Sequence, residues 1–419
     1  MTRAVVVVDG EHYPPVVRDA IDSLPYDVAA AVLIGGTEKL RGDVGYGVPL
    51  THDLEPAISE YEPAVVFDLS DEPVLGPRER FRLASRVLAA GVPYVGPDFR
   101  LDPPVFAPFD LPSIAVIGTG KRVGKTAVSA HLARLLSRDR KVVVVAMGRG
   151  GPAEPEVIER PPSLAELLER SRAGLHASSD YLEDAAFSAT TTIGCRRAGG
   201  GLAGSPAFSN VVAGAELADE RSPELVIFEG SGAALPPVAT DKRVLVVSGE
   251  QDPDVVAGFL NAYRILISDQ AVVTTADDER ASLVTHALRE VKPGIQITPV
   301  RLRPRPAGSI AGKRVAFFTT ATASAHDRLA SHLRDAYGAA TVTVFGSLAD
   351  RDTLRSDLDG IEAEVYLVEL KAAAIDVVAE VAAERGIEIV LVENEVVGKG
   401  LDESLRSLAE SILEPALQR

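Results

Sequence analysis

The sequence predicts an α/β protein in three parts: a central domain with a mostly parallel sheet, flanked by smaller α/β N- and C-terminal domains. Three observations carry this reading. Apolar runs of strand length alternate with amphipathic, helix-like segments along nearly all of the 419 residues, the pattern of parallel sheets connected by helices. A glycine-rich loop at 118–126 stands directly between one such apolar run and one such helix. Two proline-rich passages, 97–112 and 301–306, interrupt the alternation; the first closes a domain and the second, alternating Arg and Pro, reads as a linker. The resulting division is 1–110, a Rossmann-like α/β domain; 111–306, the domain around the loop; and 307–419, a further α/β domain.

Residues 4–8, 29–34 and 64–67 read as strands of the first part, with 78–90 as a helix. The central part opens with a strand at 114–117 and continues through strands at 141–146, 225–228, 243–247 and 271–274. The last part takes strands near 314–318, 340–344, 364–368 and 388–392. No repeat of solenoid period is present.

The loop reads Gly118, Thr119, Gly120, Lys121, Arg122, Val123, Gly124, Lys125, Thr126. Glycines let successive backbone N–H groups turn toward phosphate, Lys125 reaches the β- and γ-phosphates, and Thr126 places a hydroxyl on Mg²⁺ at the helix start. Nucleoside triphosphate binding, and a central P-loop NTPase domain, follow from that setting. Strict Walker A spacing would put the first glycine at 119; here it is Gly118, so the loop is one residue longer.

Composition sets limits. With 46% hydrophobic and 25% charged residues, the chain is expected to be a soluble globular protein with ample core. No stretch approaches the roughly 20 apolar residues of a membrane span. The first residues form a short apolar run followed at once by Asp9, which reads as a strand and not as a secretory signal, so a cytoplasmic location is expected. A single cysteine, Cys195, excludes an internal disulfide and a cysteine-rich metal site. A net charge of −17 argues against nucleic acid as a partner and requires local cations to gather any anionic substrate.

Further chemistry falls at strand ends of the central part, where open parallel sheets bind ligands. Glu229 ends an apolar run and precedes Gly230 and Gly232, so it is placed to hold Mg²⁺ in the Walker B manner. Arg149 sits among glycines at 147–152, a planar clamp for phosphate or carboxylate. Arg196 and Arg197 stand beside a glycine run at 199–201 and 204, a flexible loop that a ligand or partner would order. The acidic stretch Asp180, Glu183, Asp184 either assists metal or proton transfer or forms an acidic helix start; both readings stay open. Cys195 reads as packing, and His12 and Lys371 as structural, although the segments 9–14 and 369–371 are the best further site candidates.

Two resemblances rest on these motifs. The loop at 118–126 paired with Glu-Gly-x-Gly-x-x-x-Pro at 229–236 resembles dethiobiotin synthetase and its P-loop relatives over the central part. Over nearly the whole length the chain resembles the cyclic 2,3-diphosphoglycerate synthetase family, through blocks at 9–15, 118–126, 147–152, 179–185, 194–204 and 369–378 in the same order. That resemblance implies ATP-dependent ring closure of 2,3-diphosphoglycerate, with ATP and Mg²⁺ as cofactors, no nucleic acid or membrane partner, and a homodimer. It implies Lys125 and Lys121 at the transferring phosphoryl group, Thr126 and Glu229 at Mg²⁺, and Arg149, Arg196 and Arg197 at the diphosphoglycerate. Two other classes stand beside it: a dethiobiotin-synthetase-like cyclo-ligase, which should carry a lysine where Arg149 stands, and a non-enzymatic P-loop nucleotide switch, which would not need two arginine-glycine segments.

Overall fold

A computed structural model describes residues 1–40, 45–275 and 277–416. Two sheets organise it. The N-terminal sheet has six strands in the order Leu50–Thr51, Tyr26–Leu33, Thr2–Val8, Val65–Asp68, Tyr94–Val95, Arg100–Leu101, parallel except for the last. Val5, Val6, Val7 and their neighbours are buried on both faces, which is why this first strand reads as an unbroken apolar run.

The second sheet has 13 strands. From one edge it runs Phe208–Ser209, Thr191–Ala198, Val142–Gly148, Leu225–Glu229, Ser113–Gly118, Lys242–Ser248, Gln270–Thr274, Gln296–Pro306, Glu388–Val397, Val365–Glu369, Arg314–Phe318, Thr341–Phe345, with Glu156–Ile158 added off this path beside Thr191–Ala198. The central and C-terminal parts therefore share one sheet, and the expected linker at 301–306 is instead half of a strand. Residues 296–300 of that strand lie parallel to Gln270–Thr274, whereas 301–306 lie antiparallel to Glu388–Val397 on the other side. Each half has a ladder on one side only, so Pro304 and Pro306, at alternate positions, sit where no donor is needed.

The switch of direction has a geometric consequence. Val365–Glu369 and Arg314–Phe318 run parallel to Glu388–Val397, hence opposite to the central strands. The carboxyl edge of the C-terminal part is thereby turned back toward the carboxyl edge of the central part, and a cavity lined by both parts lies between the two edges.

One continuous core joins the N-terminal sheet to one face of the central strands, from Val5 and Tyr94 to Phe228 and Leu245. Helix Pro77–Ala89 seals that junction against Asn261–Leu266, with Phe81 and Phe259 rings 5.7 Å apart and Arg82 paired to Glu290 at 2.9 Å. A second core joins the opposite face of the central strands to the C-terminal part, from Val128 and Leu132 to Phe318 and Ile375. Among the described residues no helix is long and apolar enough to cross a membrane.

Candidate functional site

The phosphate loop follows strand Ser113–Gly118 and ends where helix Lys125–Leu136 begins. Thr274 Oγ1 anchors it by donating to Val123 O at 2.9 Å, and Thr119 Oγ1 donates to Gln251 Oε1 at 2.5 Å. Gly124 takes φ +95 ahead of the helix, a left-handed conformation that a side chain would strain. Gly118 is glycine for a different reason: a Cβ there would lie 2.9 Å from Cδ of Lys125, so its absence makes room for the lysine stem. The shifted first glycine thus follows from where Lys125 lies. Lys125 Nζ donates to Gly120 O at 2.9 Å, folded back on its own loop, and burial pulls its ammonium below the ordinary lysine value against the opposing pull of Glu229 and Asp180.

Leu225–Glu229 is the direct neighbour of Ser113–Gly118, with Glu229 opposite Val116. That register delivers the Glu229 carboxylate to the helix start, where Thr126 Oγ1 donates to its Oε1 at 2.8 Å. The acidic stretch is indeed a helix start, Asp180–Ser188, and it also faces this point. Burial raises the carboxyl of Glu229, helped by Asp180, and raises Asp184 well above the usual range, helped by Glu229. Glu229 Oε2 and both Asp184 oxygens have no hydrogen-bond partner among the described residues. Buried acceptors without donors suit a proton or a hard cation, and the oxygens of Thr126 and Glu229 are the set offered to a cation. Among the described residues no group of three or more His, Cys, Asp or Glu could hold a metal by itself, so phosphate or water oxygens would have to complete the shell.

A cavity of about 450 Å³ joins these features to the C-terminal part. One wall carries Lys121, Arg122, Lys125, Thr126, Arg149, Asp180 and Glu229; the other carries Thr320, Arg328, Glu369, Lys371 and Asn394. Lys371 reaches across to Glu183 at 3.1 Å. Burial raises Glu183 to about 8 even with that ammonium beside it. Burial also works against the Lys371 charge, but Glu183 and then Glu369 outweigh it and hold the lysine protonated. Glu369 is itself fixed by Thr320 N at 3.1 Å and Asn394 Nδ2 at 2.9 Å.

Arg149 follows strand Val142–Gly148 and is exposed to the cavity. Arg196 and Arg197 lie within strand Thr191–Ala198, not in a flexible loop, and the two-residue period sends them to opposite faces. Arg197 is buried, donates to Ser231 O at 2.7 Å and to Gly199 O at 2.6 Å, and converges with Arg149 over Gly232. Arg196 instead lies over the Phe208 ring at 5.7 Å, outside the cavity lining. The expected pair therefore divides, and the arginine partnering Arg197 is Arg149. Cys195 is buried under Gly214, and burial pushes its thiol up to about 12. His12 is tied to Asp9 at 2.8 Å in the N-terminal part, away from the cavity. Lys371, read from sequence as structural, lines the cavity. Arg328 and His176 carried no sequence signal beyond ordinary helix and loop composition, and only the fold brings them here.

Sheet, loop and helix start together define a P-loop nucleotide-binding protein. Family models described as the N-terminal, P-loop and C-terminal domains of cyclic 2,3-diphosphoglycerate synthetase match residues 3–102, 113–300 and 306–395. A protein of that name from Rubrobacter xylanophilus is 48% identical, covering 98% of this chain and 97% of its own. Those from Thermococcus kodakarensis and Methanothermus fervidus are 44% and 40% identical, each covering 98% of this chain and 99% and 96% of their own. The chain belongs to the cyclic 2,3-diphosphoglycerate synthetase family. Among solved structures, LpxK from Aquifex aeolicus in complex with ATP aligns with a TM-score of 0.44 and 16% identity over 74% of this chain and 90% of that one, a likeness from which nothing about function follows.

Proposed function

We propose that this chain closes 2,3-diphosphoglycerate into its cyclic diphosphate at the expense of ATP, releasing ADP and phosphate. The observation that carries the reading is the single cavity in which the phosphate loop faces cations, Arg149 above all, that a nucleotide alone does not require.

The chemistry divides into two displacements. An oxygen of one substrate phosphate attacks the γ-phosphorus of ATP; the bridge to the β-phosphate breaks and ADP leaves with that oxygen. The other phosphate of the same molecule then attacks the substrate phosphorus now carrying the added phosphoryl group, and inorganic phosphate departs as the ring closes. The second step is intramolecular, so holding the two phosphates together removes most of its entropic cost.

Lys125, released from Gly120 O, follows the transferring phosphoryl group, and Lys121 on the loop rim adds to it. Thr126 and Glu229 would hold Mg²⁺, which when bound neutralises phosphate charge. Arg149 takes the diphosphoglycerate. Arg197 supports it through Ser231 and Gly199, and Arg196 stands outside this assignment. The reading treats 1–110, 111–306 and 307–419 as working units, and carries with it a cytoplasmic location and a homodimer; light scattering after size exclusion checks the assembly.

Incubating the protein with ATP, Mg²⁺ and 2,3-diphosphoglycerate and following phosphorus resonances tests it. A pyrophosphate-type doublet growing with ADP and phosphate is the expected result; ATP hydrolysis with unchanged diphosphoglycerate would sink it.

A further inference from the structure

We infer that Arg328, on helix His326–Tyr337 of the C-terminal part, is a substrate-binding residue that grips the diphosphoglycerate from the side opposite Arg149. The inference rests on the function proposed above and names the half of its substrate site that the P-loop part does not supply.

The reversal of strand direction at Arg301 is what makes this possible. It turns the carboxyl edge of the C-terminal strands toward the phosphate loop, and the first turn of helix His326–Tyr337, with Arg328 and Leu329, forms part of the cavity wall there. A long helical side chain leans back toward the helix N-terminus, so an arginine in this first turn lies toward the 3-10 turn Ala323–Ala325 that precedes the helix, where Ala325 also lines the cavity.

Charge accounting singles out the same residue. Lys125 is engaged with Gly120 O, Arg197 with Ser231 O and Gly199 O, and Lys371 with Glu183. Among the described residues Arg328 and Arg149 have no hydrogen-bond or ion-pair partner, and both line the cavity, one on each wall. Lys121 and Arg122 are also unpaired but belong to the phosphate loop, where the nucleotide's own phosphates will meet them.

The substrate chemistry requires such an arrangement. Diphosphoglycerate carries two phosphates and a carboxylate, and ring closure presses the two phosphates together beside a nucleotide. Guanidiniums on opposite sides offset that repulsion where one alone would draw the molecule to a single wall. Lys371 is paired to Glu183 across the cavity, which leaves Arg328 as the arginine of the C-terminal wall with no partner among the described residues.

The experiment compares Arg328→Gln and Arg328→Lys with the unaltered enzyme, measuring KM for each substrate and, by calorimetry with a non-hydrolysable ATP analogue present, diphosphoglycerate affinity. Arg328 is exposed, so folding is expected to survive, which melting curves verify. The glutamine variant should bind diphosphoglycerate roughly tenfold or more weakly while its ATP KM stays within about twofold, and lysine should restore part of the loss. Unchanged diphosphoglycerate affinity overturns the inference, as does an equal loss for both substrates, which would place Arg328 on the nucleotide. If the unaltered enzyme binds diphosphoglycerate but forms no ring, the proposed reaction fails and the calorimetry still decides Arg328.

Discussion

Thr126 Oγ1 donates to Oε1 of Glu229 at 2.8 Å, so the hydroxyl of the helix start and the carboxylate of the neighbouring strand already meet at one point. Among the described residues Oε2 of that carboxylate is left without a partner. Two oxygens from separate elements, one of them carrying charge, are thereby pre-placed for a cation that arrives with the nucleotide.

Glu229→Gln keeps the shape and the bond to Thr126 but removes the charge. Turnover at saturating ATP should fall by about 10²- to 10³-fold. The melting temperature should not drop, because a buried charge raised by desolvation is being relieved. A variant with normal cyclisation at low Mg²⁺ would show that Glu229 only ties the strand to the helix, and would move attention to Asp184.

The two adjacent arginines should behave unlike each other. Arg197→Ala removes the donors to Ser231 O and Gly199 O and loosens the loop beneath Arg149, so KM for diphosphoglycerate should rise about tenfold or more. Arg196→Ala loses the contact with the Phe208 ring, outside the cavity lining, and should leave both KM values within about twofold. Steady-state kinetics on the two single variants decides this, and equal effects would contradict the alternation of the strand.

Gly232 has φ +60, and a Cβ there would lie 2.8 Å from Nη2 of Arg149. Gly232→Ala should cost about 1 kcal/mol in stability from the left-handed backbone and displace the arginine head. Diphosphoglycerate KM should rise with ATP KM nearly unchanged. Equal affinity for diphosphoglycerate before and after the change would mean that Arg149 does not meet the substrate.

Glu183 contributes to the pH dependence alongside Glu229 and Asp184, whose carboxyls burial raises as well. Its carboxyl is raised to about 8 from an ordinary 4.5, so the native state holds a proton that the unfolded chain has released across that interval. This contribution favours folding at low pH and is lost as pH climbs from about 4.5 to about 8. Lys371, raised from 10.5, adds no slope in that window. Glu183→Gln should therefore gain melting temperature over the unaltered protein as pH rises toward 8, and scanning calorimetry of the nucleotide-free proteins would expose the error if the two curves run parallel.

The sequence by itself determined the α/β class, nearly every strand of the cores, and the phosphate loop with Thr126 and Glu229. These are legible because they depend on neighbours in the chain: an unbroken apolar run marks a doubly covered strand, and a glycine loop before a helix makes a phosphate cradle whatever surrounds it. What only the tertiary structure decided depends on pairings between distant segments. Arg-Pro alternation at 301–306 has the composition of a linker, yet a one-sided ladder with 392–397 makes it the strand that fuses two parts into one sheet. Adjacent Arg196 and Arg197 look like a pair until a strand assigns them to opposite faces and Arg149, 48 positions before Arg197 in the chain, takes the partner's place. Arg328 has no local mark at all, and Lys371 is marked only as part of a strand-end segment, 369–371, whose lysine reads as structural. Their place opposite the phosphate loop comes from the antiparallel turn of the C-terminal strands, and register across a sheet is fixed by the burial of whole faces, which no single stretch of sequence contains.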